Sequence, residues 1–277
     1  MLDALVPDQL YSSPMATTRI LKKPAAKAVA TPTPARMSFD EVMRALEKAG
    51  SAQTKKTYAR HGAKEPMFGV LFGTLKVLVN RIGVDQELAR ALWSTKNQDA
   101  RNLAMKIADP ARISSADLDR WAKENTMRMC GMYIASLAAE SPHAAAKVRA
   151  WLASSDEELR ATGWTLIAQL ANLDEKTPDD WFAKRLAQIA KTIHSSPSVE
   201  RGSMNAAVIA IGGRSAALRK LATAAARRIG PVEVDHGDTA CKTPEAGANI
   251  AKMWERAKKF DSPAAQERAR ESMRTRC

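Results

Sequence analysis

Two stretches far apart in the chain share one pattern. "LWSTKNQDAR" (92–101) and "WLASSDEELR" (151–160) each carry two large apolar residues, a short spacer, a Ser or Thr, an Asn or Asp, two acidic or amide positions and an arginine. "SSPSVER" (195–201) repeats the serine-to-arginine spacing more weakly. Each stretch reads as the end of one helix, a tight turn with an N-cap, and the first turn of the next helix, because Ser, Thr, Asn and Asp side chains accept hydrogen bonds from otherwise unpaired first-turn amides. A helix–turn–helix unit cannot bury its apolar face alone, so copies must stack. The expected fold is therefore all-α, a HEAT- or armadillo-like α-solenoid of stacked antiparallel helix pairs.

The sequence between the repeats agrees. "SFDE" at Ser38 is a capping box, and "FDEVMRALEKA" after it places apolar residues at helical spacing. The same period runs through "FGVLFGTLKVLVNRIG", "SADLDRWAKE", "DDWFAKRLAQIAKTIH" and "AALRKLATAAARRIG", with Gly, Pro, Ser or Asp between them and no convincing strand. Abundant alanine and an aromatic content of only 5% suit helices packed closely side by side. Ahead of the solenoid, expected over 38–260, the segment "PMATTRILKKPAAKAVATPTPAR" has basic residues, no acid and no apolar face. Residues 1–37 therefore read as a disordered basic N-terminal tail, and 261–277 as a basic C-terminal tail.

Net charge narrows the partner. Forty-three Lys and Arg against thirty Asp and Glu leave +13, which favours a polyanion and makes nucleic acid the first expectation. No window approaches the roughly 18 apolar residues of a membrane span. Together with an acidic "MLDALVPDQL" start, unlike a secretory leader, this predicts a cytoplasmic protein without a membrane partner. Cys130, Cys241 and Cys277 are scattered and include no CxxC, so neither a disulfide framework nor a cysteine zinc site is expected. His61, His143, His194 and His236 share no ligand spacing. Only "VEVDHGDTACK" gathers metal-capable side chains, Asp235, His236, Asp238 and Cys241, and a loop closing the last helices accounts for the same residues. No metal and no cofactor are expected. There is no GxSxG, P-loop, HExxH or dinucleotide fingerprint, which excludes the common hydrolase, phosphoryl-transfer and redox classes that carry them.

Arg101, Arg160 and Arg201 stand at matched places in the three repeat copies and are the candidate phosphate contacts, provided the second helices form one wall. The alternative is a local ion pair for each, with Asp99, Glu158 or Glu200.

"TYARHGAKEPMFGV", "LARALWSTKNQDARNLAMKIADP" and "IGPVEVDHGDTACKTPEAGANIAK" resemble the bacterial DNA alkylation repair family of the AlkD type, from about Ser38 to Lys259. The resemblance implies a HEAT-like solenoid holding duplex DNA in a basic groove, as a monomer, and a monofunctional glycosylase that excises cationic N3- or N7-alkylated purines. It also implies a site. In catalytic members a tryptophan is followed four residues later by an aspartate, with an arginine on a later repeat, and Trp121, Asn125 and Arg160 match these positions. The indole would face the cationic nucleotide and the carboxylate would stabilise the developing oxocarbenium charge. Here an amide stands in place of the carboxylate. Two further readings stay open: a non-catalytic binder of damaged or branched DNA, and a protein-interaction scaffold on the same fold.

Overall fold

The computed structural model describes residues 37–127, 130–237 and 239–269. By internal contacts the chain divides at Ala35 and Arg36, and the described helices all fall in the second unit. The expected N-terminal tail lies outside the described residues apart from Met37.

Fourteen α-helices and no strand occur among the described residues. They are α1 (Phe39–Ala49), α2 (Ala52–Arg60), α3 (Phe72–Ile82), α4 (Gln86–Ser94), α5 (Gln98–Ile107), α6 (Ser115–Glu124), α7 (Gly131–Ala139), α8 (Ala144–Leu152), α9 (Glu157–Leu173), α10 (Asp179–Thr192), α11 (Ser198–Gly212), α12 (Ala216–Ile229), α13 (Ala246–Arg256) and α14 (Pro263–Arg268). Each odd helix from α3 to α13 packs on the next odd one, and each of α5, α7, α9, α11 and α13 also packs on the even helix before it. The result is two layers built from successive helix pairs, an all-α HEAT-like architecture. No described helix is long and apolar enough to cross a membrane.

Local chemistry sets the helix starts. Ser38 and Glu41 form the reciprocal capping box anticipated at the first helix. In the repeat turns, Asn97 accepts from the amides of Asp99 and Ala100, and Asp156 from those of Glu158 and Leu159. Residues 261–277, read from sequence as a tail, begin differently: Ser262 caps α14, which packs on α9 with Pro263 and Ala264 buried.

The odd layer carries most of the core. In α5 every residue but Arg101 is buried, including the polar Gln98, Asp99, Asn102 and Lys106. Asp99 has no exposed surface, and its carboxylate accepts from three consecutive amides, Phe68 (2.6 Å), Gly69 (2.9 Å) and Val70 (2.8 Å). The loop between α2 and α3 is thereby fastened to the start of α5. Gly69 is required there, because its φ is +80° and a Cβ would stand 2.4 Å from the Ser51 carbonyl oxygen.

Candidate nucleic-acid interface

Trp121, in the last turn of α6, lies face to face with Trp93, at the end of α4: ring centroids are 4.5 Å apart and the planes differ by 9°. Such stacking of large apolar rings is strongly favoured once water is excluded, and Trp121 has no exposed surface at all. Its Nε1 has no hydrogen-bond partner among the described residues. The Arg101 guanidinium sits over Trp93, 4.8 Å from the ring centroid. Glu124 joins the two helices: its Oε2 accepts from Arg101 Nη2 (2.7 Å) and from Trp93 Nε1 (2.8 Å). Arg101 also donates to the Glu124 and Trp93 carbonyls. Burial lowers the Arg101 pKa below its usual value, against the opposing pull of Glu124.

Asn125 is the C-cap of α6. Its Nδ2 donates to the Met127 carbonyl at 3.3 Å, and its Oδ1 is buried without a partner among the described residues. This gives the amide a physical reason. A carbonyl requires a donor, and an aspartate carboxylate would face the Met127 oxygen and the negative end of the helix dipole together. Trp121 and Asn125 are thus neighbours, as the spacing predicts, with the indole enclosed.

The three arginines share a register, each the fourth residue of its helix in α5, α9 and α11. In a stack of helix pairs every second helix runs the same way, so these starts belong to one edge of the odd layer. Their partners are neither Asp99 nor Glu158. Arg160 donates through Nε (2.7 Å) and pairs through Nη2 (2.6 Å) with Glu200 Oε1, while Nη1 donates to the Ser154 and Ser155 carbonyls (2.9 Å each). The hydrogen bond to Glu200 raises the Arg160 pKa. Arg160 therefore ties the α8–α9 turn to the next odd helix. Arg201 is half-buried, and its Nε has no partner among the described residues.

Expected result for Arg160→Ala: stability falls by roughly 1–3 kcal/mol, because buried Glu200 loses its counterion and two carbonyls lose their donor. Urea denaturation measures it. An unchanged midpoint would show that the ion pair contributes nothing.

The remaining tryptophans take structural positions. Trp151 and Trp164 are buried, Trp151 Nε1 donates to Asp119 (2.7 Å), and Trp254 Nε1 donates to the Gly212 carbonyl (2.8 Å). Sequence reasoning did not single out Arg214, which donates to the Leu170, Ala171, Asp174 and Thr177 carbonyls and to Asp179, closing the end of α9. Its only sequence signal was a position after the Gly212–Gly213 pair. In the 231–245 loop, Asp235 Oδ1 accepts from the Gly237 amide and His236 Nε2 meets Thr243 Oγ1 at 3.0 Å. No group of three metal-capable side chains occurs among the described residues, which do not include Asp238.

Comparison with known proteins adds three findings. The family model "DNA alkylation repair enzyme" matches residues 42–250. The chain is 28% identical over 230 residues to the uncharacterized protein Lmo0209 of Listeria monocytogenes, covering 80% of this chain and all of that one, and 27% identical over 228 residues to Lin0241 of Listeria innocua, covering 79% and 99%. Among solved structures it is similar to a member of "a new family of proteins related to the HEAT-like repeat DNA glycosylases with affinity for branched DNA structures". That likeness has a TM-score of 0.73 and 32% identity, and covers 82% of this chain and 98% of the other.

Proposed function

The chain belongs to the DNA alkylation repair enzyme family, and on that premise we propose that it binds DNA through the sugar-phosphate backbone, prefers branched to linear duplexes, and does not excise bases. The observation that carries this reading is the closed Trp93–Trp121 stack beside an amide at 125: Trp121 offers no open face to a cationic nucleotide, and the neighbouring Glu124 carboxylate is already taken up by Arg101 and Trp93 Nε1. The affinity of the structural relative for branched DNA supports the preference, and a net charge of +13 supports backbone contact. Within the arginine row the roles divide. Arg101 and Arg160 hold the turns in place, and Arg201 reaches phosphate.

The test is a titration of a four-way junction and a linear duplex of equal length at several salt concentrations. About five neutralised phosphates give a slope of log K against log salt of roughly −4.5. Arg201→Ala is expected to weaken both DNAs by roughly 1–3 kcal/mol and to make the slope shallower by about 1. Equal affinity for junction and duplex would overturn the preference, and a flat salt response would overturn backbone binding in favour of a protein-interaction scaffold.

A second reading, excision of N3- or N7-alkylated purines, is favoured by the family and by the Trp121, Asn125 and Arg160 spacing. On sequence grounds Asn125→Asp should return the missing anion and speed excision. With Met127 O beside the side chain, the expected result is different: no base release above the spontaneous rate from a 7-methylguanine duplex, and a stability loss of roughly 1–2 kcal/mol at neutral pH. The new carboxyl would have a folded pKa raised above its unfolded value. Its penalty is therefore full above the folded pKa and vanishes as pH falls below the unfolded one. Base release by either protein would establish the glycosylase.

A further inference from the structure

The 231–245 loop crosses α11, with the Asp235 amide donating to Ser198 Oγ (2.7 Å) and Asn205 Nδ2 donating to the Pro244 carbonyl (2.8 Å). Beneath it, between α9 and α11, lies a cavity of about 360 Å³. Its walls are mostly aliphatic, from Ala206, Ile209, Val234 and Met253, and Gln169 and Asn172, one helical turn apart on α9, supply amides. Gln169 is only 5% exposed, yet its Oε1 has no partner among the described residues, and neither has Asn172 Oδ1. Buried acceptors left unpaired are costly and are rare in folded proteins. Among the described residues no hydrogen bond holds either amide in its present orientation, so each can turn its acceptor or its donor toward the cavity.

The geometry points to a nucleobase site. An aliphatic slot near the lower end of the roughly 300–1,000 Å³ of small-molecule pockets, with two adjacent carboxamides, suits one planar ring that presents a donor beside an acceptor. A carboxamide pairs in this bidentate way with adenine, whose amino group and ring nitrogen adjoin. Exposed Glu233 and Asp235 flank Val234 on the covering loop, which favours an uncharged base or nucleoside over a nucleotide. The base has two sources, a free nucleoside or an unpaired adenine at a DNA branch. The second rests on the DNA-binding reading above, and the first does not.

The experiment uses the full chain, with adenosine, AMP and purine riboside as soluble probes and a four-way junction carrying either unpaired adenines or abasic residues at its centre. Adenosine at about ten times its Kd is expected to raise the melting temperature by about 3 °C, AMP less and purine riboside, which lacks the amino donor, not at all. Gln169→Leu should melt at or above the native protein, because it removes an unpaired buried acceptor, and should lose the adenosine shift. If nucleosides give no shift, but abasic substitution weakens junction binding at least about tenfold in the native protein and not in Gln169→Leu, the base arrives on the DNA strand. Absence of both effects overturns the site. Should Gln169→Leu fail to fold, Ala206→Phe fills the cavity from the facing helix with the amides intact, and the same two outcomes apply. An adenosine shift without binding to any DNA would overturn the DNA-binding reading alone, and junction binding indifferent to every cavity change, with no adenosine shift, would overturn the nucleobase site alone.

Discussion

Trp121→Ala lowers the unfolding free energy by about 3–5 kcal/mol and leaves junction affinity within about threefold of native, measured where the variant is still folded. The indole has no exposed surface and its ring rests flat on Trp93, so its removal opens a cavity between α4 and α6 and also forfeits the aromatic pair. Trp93 then loses one covered face. Its bond to Glu124 and the Arg101 guanidinium above it are shared with that pair, so part of the loss passes into the salt-bridge network. Guanidinium denaturation and gel-shift titration together decide the matter. The opposite pattern, an unchanged midpoint with collapsed DNA affinity, would mean that the stack opens and the indole meets DNA, which returns the glycosylase reading to first place.

An effect of similar size is expected at Asp99. Its carboxylate receives three backbone amides with no solvent in reach. Asn in its place offers one acceptor oxygen and turns an NH₂ group toward a backbone N–H, so at least one amide is left buried and unpaired and the charge-assisted bonds are lost. Asp99→Asn is expected to cost about 3–5 kcal/mol, and hydrogen exchange at Phe68, Gly69 and Val70 should speed up ahead of global unfolding. A loss under about 1 kcal/mol with protected amides would show that the loop is held by other contacts.

The sequence determined what depends on neighbours along the chain. Ser38 with Glu41, and Asn97 and Asp156 with the amides just after them, interact within one turn of helix, so residue types and spacing were enough to place those helix starts and to align the repeats. Charge likewise fixed the expectation of a polyanionic partner. It was also legible that Trp121 and Asn125 share a helix end and that Arg101, Arg160 and Arg201 share a register.

What the tertiary structure decided is which group each of these residues meets. The partners of Arg101 and Arg160 are Glu124 and Glu200, acids brought close by the stacking of successive helix pairs, while Asp99, the nearest acid to Arg101, turns instead to a loop between α2 and α3. Trp121 is enclosed because α4 presents Trp93 to it, and Asn125 is engaged because the chain turns back after α6 and offers the Met127 carbonyl. The cavity between α9 and α11 depends on a loop that begins after α12. None of these contacts follows from helical period or capping, because those are set by backbone hydrogen bonds a few residues apart, whereas the distance between two repeats is set by how their side chains pack.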